Sequence, residues 1–383
     1  MSDMVAEDEL PSGLMPKWVV PLVVALPLAV GLHLAGASQV AVFIAAALAL
    51  IPGSAVMGRA TEHLSARSGP GVGGLMNVTF GNAPELIIAL VALSQGFQEV
   101  VKASLVGSVL GNVLLVLGAS MLAGGLRPDL RSGEQRFNRT SASAQSGMLL
   151  LAVGALVMPA VWELVNANGL GLPTVGVDNL NKAVDFHGGP VQTLTTVVAV
   201  ILILTYAAGL VFSLRTHKDI FNPAQGHVKG AWTVGKSVAM LCIAGGLVAW
   251  MSEILVGSLE EAAKAMGASE FFIGIVVVAI VGNAAEHWVA VAVARKDQMS
   301  LAINISVGSA AQIALFVTPV IALASLVIGD FPMALVFNGY ELAALLIATV
   351  VAGFVTARGR STWFEGLQLI ALYVVFGVTF WLA

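Results

Sequence analysis

Apolar stretches of about 20 residues, long enough to cross a bilayer as a helix, recur along the whole chain. They place spans at 17–36, 38–58, 72–96, 99–124, 145–165, 191–213, 233–257, 270–294, 299–322, 332–356 and 362–382, eleven in all. Only 10% of the 383 residues are charged and 58% are hydrophobic, whereas a soluble domain carries roughly 25% charged residues. Such a chain cannot cover itself with a water-compatible surface. A soluble enzyme, a nucleic-acid-binding protein and a disordered scaffold are therefore excluded, and the lipid bilayer is the expected surrounding. The single cysteine, Cys242, leaves no disulfide framework or cysteine-based metal site. Residues 1–16, with Asp3, Glu7, Asp8 and Glu9, lack the basic start of a presequence and read as a solvated cytoplasmic tail.

Loop charges test the span count. Cytoplasmic loops are enriched in Lys and Arg. With the N-terminus on side one and strict alternation, side one collects fifteen of the 18 basic residues; side two holds only Lys102, Lys182 and Lys264. The expectation is a cytoplasmic N-terminus and a C-terminus on the far side.

The run GNAPEL contains Gly81, Asn82, Ala83 and Glu85; the run GNAAEH contains Gly282, Asn283, Ala284 and Glu286, at an offset of 201. The following span keeps that offset, with VGS at 106–108 and again at 307–309. The motif-bearing spans are the third and the eighth, so the copies cross in opposite directions. The predicted fold is all-α and integral to the membrane: an extra N-terminal helix at 17–36, then two inverted-topology repeats of five helices, 38–213 and 233–383, joined by a cytoplasmic linker at 214–232. Inverted repeats are common in secondary transporters.

Glu85 and Glu286 fall mid-span, where a charge costs at least ~2.5 kcal/mol. Matching places in two repeats bring them together near the midplane, where two carboxylates suit a divalent cation. Calcium takes six to eight oxygens from carboxylates, carbonyls and amides. Asn82 and Asn283 lie three residues before each glutamate, on the same helical face. Ser108 and Asn112 on the fourth span, and Ser309 and Gln312 on the ninth, are further candidates; interhelical glue is the competing role for each. Gly-Asn is expected to break the helix, with Pro84 in the first turn of its restart. His287 is a candidate proton-linked residue or a packed imidazole. Glu253 in the seventh span reads as a ligand, relay, access-path charge or ion-pair member. Glu62 reads as a charge at the cytoplasmic end of the third span, serving the entrance or solvated. Glu341 is hard to place, and His33 has no evident partner.

The runs ATEHLSARSGPGVGGLMNVTFGNAPELIIAL, GSVLGNVLLVLG, GNAAEH and SVGSAAQIALFVTP resemble the calcium/proton antiporters of the cation/calcium exchanger superfamily, over about 50–380. The resemblance implies an extra N-terminal helix and two inverted five-helix halves. It maps the essential glutamates onto Glu85 and Glu286, and the histidine typical of the proton-coupled branch onto His287. Two departures stand out. Residues 214–230 hold one acid, Asp219, where some members carry an acidic segment. Val109 stands where sodium/calcium exchangers usually show asparagine after the first repeat's GS.

The expected activity is therefore not enzymatic. It is secondary exchange of cytosolic Ca2+ for H+, with both competing for Glu85 and Glu286. A sodium-coupled calcium exchanger of the same fold, a passive cation channel and manganese as cargo remain alternatives. Neither a phosphate-binding loop nor a segment between the spans large enough for ATPase machinery is expected, so primary pumping is not expected. Cofactors are expected to be none, Ca2+ being cargo. Ca2+, H+ and lipid are the partners, nucleic acid is not, and association into a homo-oligomer is left open. A prokaryotic plasma membrane is the expected location.

Overall fold

A computed structural model describes residues 13–68, 76, 79–130, 133–166, 189–216 and 230–383. Most of the linker and most of the acidic tail lie outside these residues. A short tight helical turn, Val20–Val24, leads into α1 (Ala25–Leu34). Gly36, at φ +63°, makes the tight reversal into α2 (Gln39–Arg67), whose N-terminus is capped by Ser38 accepting from the Ala41 N–H. Then follow α3 (Ala83–Ser94), α4 (Gln98–Gly125), a short strand β1 (Glu134–Arg136), α5 (Arg139–Asn166) and α6 (Gly189–Thr216). The second half contains α7 (Val234–Gly257), α8 (Leu259–Met266), α9 (Glu270–Ala294), α10 (Met299–Ala324), α11 (Gly339–Thr356), β2 (Arg360–Thr362) and α12 (Trp363–Leu382). Among the described residues nine helices are apolar and long enough to cross a bilayer, and two shorter apolar helices, Val20–Leu34 and α3, accompany them.

Three boundaries differ from the sequence expectation. The second span does not end near 58, because α2 runs on to Arg67 through Pro52. Glu62 therefore sits at the end of α2 and not on the third span. The third span restarts at Asn82 (φ −98°, ψ 23°), with Pro84 in its first turn, where a missing N–H costs nothing. The second Gly-Asn behaves otherwise: α9 passes unbroken through Gly282 and Asn283. The physical reason is one residue, since Ala285 stands where the first copy has Pro84 and can donate its backbone N–H. Finally, α11 begins at Gly339 and not at 332.

The segment before α11 is irregular yet buried, with Met333, Leu335 and Phe337 at most 1% exposed. Backbone polar groups away from water must be paired, and side chains pair them here. Gln98 Nε2 donates to the Phe331 carbonyl at 2.6 Å and Lys102 Nζ to the Val336 carbonyl at 2.9 Å. The Met333 N–H donates to Ser325 Oγ at 2.8 Å and the Leu335 N–H to Thr195 Oγ1 at 3.1 Å.

Loops assigned to side one do meet. Arg127 pairs with Asp297 at 3.0 Å, β1 pairs antiparallel with β2, and Arg67 Nη2 donates to the Ala231 carbonyl at 2.7 Å. At the other end, the turns following α1, α3 and α7 converge.

One local pattern runs against the expectation of no nucleotide machinery. Gly230–Ser237, GAWTVGKS, spells the spacing of a phosphate-binding loop. That motif works between a strand and a helix, and neither described strand adjoins it. Thr233 instead caps α7 by accepting from the Lys236 N–H, and Lys236 Nζ lies 4.5 Å over the Trp232 ring. The segment is a capped helix start.

Candidate functional site

Four helices position the polar residues read from the sequence. Asn82 stands at the start of α3 with Glu85 in its first turn. Ser108 and Asn112 lie on α4, Asn283 and Glu286 on α9, and Ser309 and Gln312 on α10. Glu85, Asn82, Ser108, Asn112, Asn283 and Ser309 are buried, while Gln312 and Glu286 are half-buried.

Hydrogen bonds join them across helices. Asn82 Nδ2 donates to Gln312 Oε1 at 2.8 Å, and Ser309 Oγ donates to Asn82 Oδ1 at 2.7 Å. Ser309 Oγ also lies 3.5 Å from Glu286 Oε2, and Asn112 Nδ2 lies 3.4 Å from Ser309 Oγ. On the other side, Asn283 Nδ2 donates to Ser108 Oγ at 3.1 Å and to the Ala279 carbonyl at 2.9 Å. The Asn82–Ser309 and Asn283–Ser108 pairs exchange under the 201-residue offset.

Glu85 Oε1 lies 4.0 Å from where a β-carbon on Gly282 would stand, so the carboxylate of one motif reaches the glycine of the other. Glu85 Oε2 and Asn283 Oδ1 are buried acceptors with no hydrogen-bond partner. Unserved oxygens in a bundle interior are costly, and these share a cluster with a second carboxylate. Hard oxygen donors of this kind suit a divalent cation.

Backbone irregularity gathers at the same level. α4 widens to a π-type turn at Gly111–Val116, α9 at Ile273–Val278 and α10 at Ile313–Val317. Such turns recur at functional sites. Those of α4 and α10 correspond within two residues under the offset. His287 reaches the first of them, its Cε1 4.0 Å from the β-position of Gly111, and its Nε2 is buried and unpartnered.

The remaining candidates lie elsewhere. Glu62 pairs with Arg59 at 3.2 Å and is half-exposed. Glu253 faces a separate cleft, together with His33. Glu341 closes a capping box with Asn338. Sequence reasoning missed a neighbouring polar group: Gln145 Nε2 donates to Asn304 Oδ1 at 2.8 Å, and Ser141 Oγ donates to the same oxygen at 3.3 Å. Amide side chains inside apolar spans were the available signal.

An all-helical bundle of apolar helices, with its polar residues gathered at internal crossings, defines a multi-pass integral membrane protein. The chain belongs to the sodium/calcium exchanger protein family, matching it over residues 38–215 and 236–382. It is 40% identical over 359 residues to the Ca2+/H+ antiporter ChaA of Bacillus subtilis (strain 168), covering 92% of this chain and 94% of that protein. It is 38% identical over 358 residues to the Ca2+/H+ antiporter of Aphanothece halophytica, covering 89% and 90%. The solved structure of native YfkE superposes with a TM-score of 0.79 at 36% identity, over 96% of this chain and 100% of that one. The crystal structure of the H+/Ca2+ exchanger CAX shares the fold, with a TM-score of 0.69 at 14% identity over 95% and 91%.

Proposed function

We propose that the chain is a secondary transporter that moves cytosolic Ca2+ out in exchange for H+, with both competing for Glu85 and Glu286. The observation carrying this reading is the approach of Glu85 to Gly282 of the second motif, in a cluster with unserved oxygens that Ser309 links to Glu286. The names of its relatives in Bacillus and Aphanothece agree with it.

The coupling follows from charge. Two carboxylates in a low-dielectric interior carry two negative charges. One Ca2+ neutralises them, and so do two protons. The bare, doubly charged site resists occlusion because isolated buried charge is expensive. Only the loaded and the protonated forms reorient, so the two fluxes are tied together. Asn82, Asn283, Ser108, Asn112, Ser309 and Gln312 supply neutral oxygens and hold the helices in register. His287 and Glu62 serve proton coupling or access.

The architecture proposed for this cycle is eleven crossings, arranged as one extra helix and two inverted repeats of five. The reciprocal Asn82–Ser309 and Asn283–Ser108 pairs and the matched wide turns support the repeat. The basic residues of side one support a cytoplasmic N-terminus, and the location proposed is a prokaryotic plasma membrane.

Proteoliposomes with an imposed pH gradient and no sodium test the reading. Uphill Ca2+ uptake is expected in the wild type and is lost in Glu85→Gln and Glu286→Gln. Uptake that requires a sodium gradient would move the chain to the sodium-coupled branch. Flux that never accumulates Ca2+ would make it a channel.

A further inference from the structure

At the end of the bundle where α1, α3 and α7 finish, a cleft of about 860 Å3 opens between these helices. His33 of α1 lines it on one side and Glu253 of α7 on another, with Ser94 and Gln95 at the end of α3. Neither the His33 nor the Glu253 side chain has a hydrogen-bond or ion-pair partner among the described residues, and both residues are exposed. Other charges near this end do not line the cleft. On α4, Lys102 pairs with Glu99 at 2.6 Å. On α8, which packs against α2, Lys264 pairs with Glu260 at 2.5 Å, and Glu261 faces solvent. Glu253 is thus the carboxylate that lends the cleft its charge.

The cleft and the glutamate cluster share a helix. Val91 lines the cleft and Glu85 lies six residues earlier on the same helix, about 9 Å along the axis at 1.5 Å per residue. A cleft walled by a bilayer-embedded bundle focuses the field of an unpaired charge and raises the local concentration of counter-ions.

We propose that this cleft is a docking site for a hydrated divalent cation at the far-side mouth of the transport path. Glu253 attracts the cation through its charge, and position 33 of the extra N-terminal helix faces the same cation. The hydroxyl of Ser94, which donates to the Val91 carbonyl at 2.7 Å, and the amide of Gln95 offer neutral oxygens to its water shell. This rests on the transport reading above. It gives α1 a part in ion traffic and not only in packing.

The test is a charge ladder at position 33 beside removal of the carboxylate. Wild type, His33→Asp, His33→Gln, His33→Lys and Glu253→Gln are compared in right-side-out and inverted membrane vesicles. Calcium–calcium exchange is followed with radioactive Ca2+ at low and at high salt. At low salt, the half-saturating Ca2+ concentration from the cleft side should rise in the order Asp, Gln, Lys, and should rise several-fold in Glu253→Gln. At about 1 M salt, where screening acts within about 3 Å, the ladder should collapse. From the opposite side the variants should match the wild type.

Equal half-saturation across the ladder, equal effects from both sides, or effects that survive high salt would overturn the proposal. Calcium–calcium exchange needs no proton coupling. A wild type that exchanges calcium but shows no proton-driven uptake would therefore defeat the antiport reading while leaving the cleft's test intact.

Discussion

The hydroxyl of Ser309 donates to Oδ1 of Asn82 at 2.7 Å, and the counterparts of these two residues under the 201-residue offset, Ser108 and Asn283, are also bonded, at 3.1 Å. In the first pair serine donates to asparagine; in the second, asparagine donates to serine. The donor reversal leaves Asn283 Oδ1 unserved while both polar atoms of Asn82 are used, since its Nδ2 serves Gln312. The two halves are thus alike in position and unlike in what they leave free for an ion.

This asymmetry predicts unequal mutants. Asn283→Ala removes a free oxygen and should raise half-saturating Ca2+ several-fold. Asn82→Ala removes a spacer between α3 and α10, and should act chiefly through its partners. Ser309→Ala combined with Asn82→Ala should then cost little more than Asn82→Ala alone. Interhelical hydrogen bonds inside membranes are worth about 0.6 kcal/mol on average, so unfolding temperatures in detergent should move little. Transport titrations beside thermal unfolding check both halves of this statement.

Competition for two carboxylates fixes the sign of the pH effect. Protonation removes negative charge from the site, so apparent Ca2+ affinity should fall as pH falls on the loading side. Equilibrium Ca2+ binding to purified protein over a pH series measures it. Glu85→Gln and Glu286→Gln each leave one titrating carboxylate, and any residual binding in them should show a shallower pH slope. A slope unchanged in both variants would place the competing protons elsewhere.

The reach of the sequence can be judged residue by residue. Glu85, Glu286 and the six polar residues around them were legible because charge and amide groups stand out inside apolar spans, and because a fixed offset paired them. The break at Asn82 was legible from Pro84. The unbroken path of α9 was not, because Gly-Asn alone does not decide a break once Ala285 can donate its N–H. The irregular stretch before Gly339 was hidden for a related reason. Its residues are as apolar as a helix, and the partners that satisfy its backbone, Gln98, Lys102 and Thr195, are distant in sequence. That His33 and Glu253 line one cleft depends on how α1 lies against α7, which no local pattern records.

Close backbone approach beside the site gives a stability prediction. A β-carbon on Gly107 would stand 1.9 Å from the Ile275 carbonyl oxygen. Rigid backbone on both sides cannot yield cheaply, so α4 must move off α9 at the wide turn of the latter. Gly107→Ala should lower the unfolding temperature and also weaken Ca2+ binding, because Ser108, bonded to Asn283, is carried with it. Gly366 offers a control. Its β-carbon would stand 2.5 Å from the Gly118 carbonyl oxygen, where α12 meets α4. Gly366→Ala should destabilise comparably, and folded protein should keep its Ca2+ affinity.

Glu341 separates structural from ion-binding carboxylates. It is 1% exposed, and its Oε2 accepts the Asn338 N–H at 2.8 Å while its own N–H donates to Asn338 Oδ1 at 2.9 Å. Both contacts are those of a capping box, in which glutamine can replace glutamate. The charge is not what the contact requires, so Glu341→Gln should transport Ca2+ like the wild type. Glu341→Ala leaves the Asn338 N–H without its partner at the start of α11. It should destabilise by about 1 kcal/mol, in the range typical of lost N-terminal caps, with half-saturating Ca2+ unchanged. At Glu85 and Glu286 the same glutamine change retains shape and a hydrogen-bonding group, yet should abolish proton-driven uptake. Parallel thermal unfolding and transport assays on the three glutamine variants decide the matter. Loss of transport in Glu341→Gln at full stability would make Glu341 a third carboxylate of the ion path.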